Sequence, residues 1–344
     1  MAENLESTRG VEVLPTDTPE RFAAAVIRAA DLLRAGEVVA LPTETVYGLA
    51  ANALDPLAVR RLYTVKGRPA GNPVIVHVAT GAMARACARE WPVDADRLAA
   101  SFWPGPLTLV VPRSGRIPDE VTAGGDTVGI RWPSHPLIQA VIRACGFPLA
   151  APSANRSNCV SPTQAAHVVA SLGDRIPLVV DGGACQVGIE STVLDLGTVP
   201  PRILRPGTIH EESLAAVLGS VAMGGDGAKV LRSPGQLPRH YAPQGRVGVL
   251  RWRDDADLAR QMRERGWEPA GTHVLAHERV PSAGVAARVC VIPHDAEAFA
   301  RALYAEWHGC DALGARWIVV EAVPEGAVWG GVADRLRRAE AAGV

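Results

Sequence analysis

The spacing of apolar residues changes repeatedly along the chain. From Thr18 to Gly36, Phe22, Val26, Ala29, Leu32 and Leu33 recur near helical spacing, which predicts a helix capped by the Thr18 hydroxyl. Short apolar runs at 38–41, 73–79, 107–111, 127–131, 177–181 and 191–196 then alternate with helical stretches near 56–65, 94–102, 135–145, 162–172 and 211–219. Irregular spacing between the runs predicts a first domain of α/β or α+β class, built on a mixed sheet. Between 220 and 243, Gly224, Gly225, Gly227, Pro234, Gly235, Pro238 and Pro243 break every period, as a linker does. A second alternation follows, with strands near 246–251, 286–292 and 316–321 and helices near 255–265, 295–308 and 330–341. About 100 residues suffice there for a small three-layer parallel-sheet domain. The expected organisation is therefore 12–219, a linker at 220–243, and 244–344.

Length and composition agree with two soluble domains: 344 residues, 48% hydrophobic, 21% charged, formal net charge −1. Near-neutral charge argues against a protein that coats nucleic acid, so any work on anions must rely on a local cluster of cations. No basic-then-apolar leader precedes Thr18, and charges interrupt the best apolar stretches, so neither a signal peptide nor a membrane span is expected. Six scattered cysteines without ligand spacing fit reduced thiols in a cytoplasmic protein better than zinc or disulfides. Lysine occurs only at Lys66 and Lys229 against 33 arginines, which draws attention to the first.

Polar residues gather where predicted strands end. In Leu41-Pro-Thr-Glu-Thr-Val-Tyr-Gly48, an extended chain would place Thr43, Thr45 and Tyr47 on one side. Lys66-Gly-Arg-Pro-Ala-Gly-Asn-Pro73 puts two cations, a glycine and an amide within reach of phosphate oxygens, or forms a solvated basic loop; it is not a Walker loop. His77 interrupts an apolar strand and reads either as a core residue or as a neutral-pH proton carrier. On strand 127–131, Thr127, Gly129 and Arg131 share a face. Arg131 needs an anionic partner there, whether a ligand carboxylate or a structural Asp or Glu. Ser153, Asn155, Ser161 and Thr163 bring further hydrogen-bonding groups, Gly188-Ile-Glu-Ser-Thr192 adds a glycine-lined turn, and Arg205 ends another strand. No nucleophile–base pair, metal-ligand spacing or paired carboxylates accompany them. Such a set binds and orients anionic substrates and catalyses by positioning and charge.

In order and spacing, PTETVYGL, KGRPAGNP, FWPGPLTLV, TVGIRWPSHP, APSANRS, SPT, GIESTV and LRPG resemble the YrdC-like family. The linker SPGQLPRHYAP resembles that of its two-domain members, the L-threonylcarbamoyladenylate synthases. The resemblance covers about residues 12–243 closely. It implies a concave twisted mixed sheet with a positive cavity, followed by a small Rossmann-like domain. The implied reaction converts L-threonine and bicarbonate or CO2 to N-carboxythreonine, whose carboxylate attacks the α-phosphate of ATP, giving threonylcarbamoyl-AMP and pyrophosphate. Implied roles are a threonine pocket of Thr45, His77, Arg131, Ala151 and Ser191, and an ATP site of Lys66, Arg68, Asn72, Thr127, Ser153, Ser161, Arg205 and His240. Lys66 and Arg68 would supply the electrostatic catalysis. Mg2+ would arrive with ATP, held by the nucleotide and water, with no metal ligands from the protein. Downstream, a tRNA threonylcarbamoyl transferase complex would consume the product. Two departures from the family pattern are Gln236-Leu-Pro238, where many relatives carry Met-Lys-Tyr, and Asp334, where relatives usually carry Asn. Two other readings are a carbamoyl-phosphate-dependent carbamoyl-adenylate transferase and a non-enzymatic RNA-binding or regulatory protein. For the first, the chain lacks the extra modules of such enzymes. For the second, a basic cavity gives at most weak RNA affinity, against which the net charge and the 5% aromatic content both count.

Overall fold

The structure is a computed structural model that describes residues 10–224 and 242–342. In chain order the first part forms β1 (Glu12–Pro15), α1 (Pro19–Arg34), β2 (Val39–Leu41), β3 (Gly48–Asn52), α2 (Pro56–Lys66), β4 (Val76–His77), α3 (Gly81–Cys87) and α4 (Val93–Phe102). It continues with β5 (Leu107–Pro112), α5 (Asp119–Thr122), β6 (Thr127–Arg131), α6 (Pro136–Cys145), β7 (Leu149–Ala150), α7 (Ala165–Leu172), β8 (Leu178–Asp181), β9 (Thr192–Asp195), β10 (Arg202–Arg205), α8 (Glu211–Leu218) and β11 (Ala222–Met223). The second part holds β12 (Arg246–Leu250), α9 (Asp255–Glu264), β13 (Thr272–Ala276), β14 (Arg288–Val291), α10 (Ala296–Ala312), β15 (Trp317–Glu321) and α11 (Gly330–Ala342).

The first eleven strands make one mixed sheet in the order β1-β8-β2-β3-β7-β4-β6-β5-β9-β10-β11. Helices cover it because each presents one apolar stripe. In α1, the Thr18 hydroxyl accepts the Arg21 N–H and Pro19 opens the first turn, while Ala25, Ala29, Ala30 and Leu33 face inward. They pack with Leu137, Ile138, Val141 and Ile142 of α6 on one core. A second core joins Val59 and Leu62 of α2 and Val168 and Leu172 of α7 to Leu49, Val76 and Ile130 of the sheet. Helix α2 ends on Gly67 at φ 62°, in the left-handed region that glycine adopts cheaply, and this turns the chain into the basic loop.

The second sheet is parallel throughout, ordered β12-β15-β13-β14, as a small Rossmann-like domain requires. The two parts share a core, since Val46, Val160 and Ile189 of the first pack with Phe299, Leu303, Trp307, Trp329, Val332 and Leu336 of the second. Backbones touch at this seam. A Cβ on Gly188, at φ +84°, would lie 2.4 Å from the Ala300 carbonyl oxygen and 2.4 Å from Arg301 Cα.

Four expectations change. The run 73–79 yields only a two-residue strand, β4. Its flanks still bond: Val78 N–H donates to Arg131 O at 2.9 Å, and Ala151 N–H to Ile75 O at 3.0 Å. Residues 42–47 do not extend, so Thr43, Thr45 and Tyr47 share no strand face. Instead the Thr43 hydroxyl bonds its own turn, donating to Val46 O at 2.7 Å and accepting from the N–H groups of Thr45 and Val46. Finally, β13 lies in a stretch where the sequence pattern gave no strand, and β11 carries the first sheet to Met223, past 219.

Candidate functional site

Strand ends from across the large sheet converge on one cleft. Its wall includes Thr43, Thr45, Arg68, His77, Arg131, Ala151, Ser153, Glu190 and Arg205. The sheet register accounts for this. Strands β4 and β6 run parallel with His77 opposite Arg131, and β7 is antiparallel to β4 with Ala150 opposite Val76. Three neighbouring strands therefore deliver His77, Arg131 and the turn after Ala150 to the same edge. Two residues before Arg131, Gly129 has little room for a side chain, since a Cβ there would meet the Thr108 methyl at 3.2 Å.

Four buried cations surround the cleft, Lys66, Arg68, Arg131 and Arg205, with the buried carboxylates Glu44 and Glu190 among them. Arg131 Nη2 lies 2.8 Å from Glu44 Oε1, so of the two partners open to Arg131 the fold supplies a structural one. The contact lacks hydrogen-bond alignment: Arg131 Nη2 and both Glu44 oxygens are buried without a hydrogen bond. Asn72 Oδ1 and Nδ2 and His77 Nδ1 are in the same condition. Among the described residues, half of the twelve buried side-chain polar atoms without a hydrogen-bond partner thus belong to these four residues. Three of the six belong to the Arg131–Glu44 ion pair, and the other three, on Asn72 and His77, each cost about 1–3 kcal/mol if left so. A concentration of this kind marks a surface built for a polar ligand.

Arg68 Nε donates to Asn72 O at 2.9 Å and Nη2 to Pro73 O at 2.7 Å, which folds the basic loop back on itself and sets the guanidinium in the wall. Lys66 does something else. Its ammonium donates to Ser153 O at 2.7 Å, Asn155 O at 2.6 Å and Asn155 Oδ1 at 3.3 Å, which uses all three donors. It clamps the 153–155 turn from behind the wall, where burial first and the Arg68 charge second push its pKa well below the ordinary lysine range. Ser191 likewise sits just behind the wall, its hydroxyl 2.8 Å from Thr108 Oγ1 and accepting from Arg205 Nη2 at 3.1 Å. Ser161 donates to Glu190 Oε1 at 2.5 Å. Burial and then the Arg131 charge drive the His77 pKa down to about 3, so the imidazole is neutral at any working pH.

Of the thirteen residues singled out from sequence, Thr45, His77, Arg131, Ala151, Arg68, Ser153 and Arg205 line the cleft, and Lys66, Asn72, Ser161 and Ser191 are buried against those that do. Thr127 opens β6 opposite Pro112 of β5, roughly 13 Å along the strand from Arg131, and is not part of the cleft wall. His240 lies outside the described residues, as does Gln236-Leu-Pro238. Sequence reasoning missed the two carboxylates, although both stand inside motifs it singled out. The available signal was arithmetic: several buried cations demand buried counter-charge.

Residues 31–207 match the Sua5–YciO–YrdC family model, described as telomere recombination, and residues 209–342 match the model of the threonylcarbamoyl-AMP synthase C-terminal domain. The threonylcarbamoyl-AMP synthase of Pyrococcus abyssi is 39% identical over 321 residues, covering 90% of this chain and 92% of the relative. That of Bacillus subtilis is 38% identical over 334 residues, covering 95% and 94%. The crystal structure of P. abyssi Sua5 complexed with L-threonine superposes with a TM-score of 0.87 at 37% identity, covering 97% of this chain and 98% of that one.

Proposed function

The chain belongs to the Sua5–YciO–YrdC family, and from that premise we propose that it makes L-threonylcarbamoyl-AMP from L-threonine, bicarbonate or CO2, and ATP, releasing pyrophosphate. It is a transferase of the nucleotidyl type. The observation that carries the reading is a cleft lined by Arg68, Arg131 and Arg205, with the Arg131–Glu44 pair and the unpartnered polar atoms of Asn72 and His77 buried around it.

In this reading the amino acid lies over β4 and β6, where Arg131 holds its carboxylate and Thr45, His77, Ala151 and Ser191 shape the pocket. A neutral His77 can accept a hydrogen bond from the substrate without adding a positive charge beside Arg131. The neutral amine nitrogen bonds to CO2 and loses a proton to water, and the new carbamate oxygen forms a bond to the α-phosphorus while the bond from that phosphorus to the bridging oxygen breaks. Pyrophosphate carries away the electron pair. Arg68, Arg205, Asn72, Ser153 and Ser161 face the nucleotide side. Their task is to hold two anions at reacting distance and spread the developing phosphate charge, which needs no nucleophilic side chain. Mg2+ enters as part of the ATP complex. Lys66 acts one step back, by fixing the turn that carries Ser153.

The product is a mixed anhydride, so a separate transferase must pass its threonylcarbamoyl group to adenosine in tRNA. A cytoplasmic location fits that use. Among the described residues, no helix is long and apolar enough to cross a membrane. Pyrophosphate release measured with ATP, Mg2+ and bicarbonate, with and without L-threonine, tests the proposal. Release that does not depend on threonine would refute it.

A further inference from the structure

Glu190 stands at the seam between the two domains and divides its carboxylate between them. Its Oε1 accepts from Ser161 at 2.5 Å on the cleft side. Its Oε2 accepts from Arg335 Nε at 2.8 Å and from the Tyr304 hydroxyl at 3.0 Å, both from the second domain. Arg335 on α11 is wholly buried, and it also donates to the Glu190 main-chain oxygen at 3.2 Å and to Pro206 O at 2.8 Å, next to Arg205. Helix α10 reaches the other end of the same group, where His308 Nε2 lies 3.1 Å from Ser161 O. The second domain thus grips the residues on either side of the cleft's nucleotide half, yet among the described residues it contributes none to the cleft wall.

We infer that Arg335 and Tyr304 are positioning residues for ATP, acting through Glu190 on Ser161 and Arg205. The inference rests on reading the cleft as the ATP and threonine site. A plain docking contact needs only one ion pair. Here a single guanidinium binds the Glu190 side chain, the Glu190 backbone and the Pro206 carbonyl, so its displacement moves both arms of the site together. Burial alone would raise the Glu190 pKa, but the charges of Arg335 and Arg205 and the bonds from Ser161 and Arg335 outweigh it and bring it to about 2. Lys66 also feels the Glu190 charge. Asp334 beside Arg335 contacts it at 3.0 Å and takes Arg338 Nε at 2.9 Å, so a second carboxylate holds the guanidinium in place.

The test uses the full chain and steady-state pyrophosphate release with ATP and threonine varied separately. Arg335→Gln should raise the ATP KM by about tenfold while the threonine KM moves less than about threefold, and in an E190Q background it should add little further, because both changes cut one linkage. A folded R335Q protein with the wild-type ATP KM overturns the inference, and so does an effect fully additive with E190Q. Tyr304→Phe removes one hydroxyl at nearly constant volume and decides the matter if R335Q does not fold. Its ATP KM should rise by about threefold with the threonine KM nearly unchanged, and an unmoved ATP KM is again a refutation. If the wild-type protein itself shows no threonine-dependent release, the reading of the cleft has failed instead, which keeps the two failures apart.

Discussion

Removing Arg131 should have two consequences that a single variant confounds and a pair of variants separates. Arg131 and Glu44 face each other at 2.8 Å, with side-chain exposures of 4% and 8%. Arg131→Met strips the carboxylate of its counter-charge in a buried setting, and breaking such a pair from one side costs about 3–5 kcal/mol. For a domain of this size that is a fall in melting temperature on the order of 10 °C. Lost threonine binding is a separate term. A hydrogen-bonded contact to a charged group is worth about 1.5–3 kcal/mol, or roughly a 10- to 100-fold rise in the threonine KM. Adding Glu44→Gln to Arg131→Met removes the stranded charge, so most of the melting temperature should return, while the threonine KM stays high. Thermal unfolding followed by fluorescence, and pyrophosphate release against threonine concentration, read the two terms independently. If the stable double variant bound threonine as well as the wild type, Arg131 would not be the carboxylate's partner and the pocket assignment would be wrong.

Four further outcomes are expected. The His77 pKa falls from the ordinary 6.5 to about 3 on folding, so the unfolded chain takes up a proton first; the stability His77 contributes is complete above pH 6.5 and lost as the pH drops towards 3. Denaturant titrations should show His77→Gln removing up to about 3 kcal/mol of the wild-type loss between pH 7 and pH 4, and an unchanged pH slope would refute this. Lys66→Met frees three buried carbonyl oxygens at Ser153 and Asn155 and should raise the ATP KM more than the threonine KM, by about tenfold; equal effects on both would point to a general loss of structure. Gly188→Ala places a methyl 2.4 Å from backbone of α10 at a positive φ, so it should cost at least about 2 kcal/mol by calorimetry and speed proteolysis between the domains. Mg2+ chelation should stop pyrophosphate release, and added Mg2+ should restore it, without changing the melting temperature of the nucleotide-free protein.

How much of this was legible in the sequence depends on how local the determining physics is. Helix α1 was legible because its cap, its proline and its apolar stripe all lie within one segment, and β6 emerged with both boundaries in place because Thr127 to Arg131 alternates cleanly. Strand β13 was not, because Thr272-His-Val-Leu-Ala276 sits inside the second sheet with all five residues buried, and a strand buried on both faces has no alternation to read. Residues 42–47 misled because a threonine hydroxyl bound its own backbone, a competition that a parity argument ignores. Arg131 and Arg205 could be found from sequence because each ends a strand, and strand ends in an open α/β sheet are where ligands bind, while Lys66 and Arg68 stood out as a basic pair at the end of a predicted helix. Their counter-charges could not be matched. Glu44 meets Arg131 and Glu190 meets Arg335 only after the chain has crossed the sheet or entered the second domain, the latter pair 145 positions apart. The sum of charges at the site is a property of composition, whereas its pairing belongs to topology. For that reason the second domain, which showed no motif of its own on the cleft, carries the buried guanidinium on which one of the two site carboxylates depends.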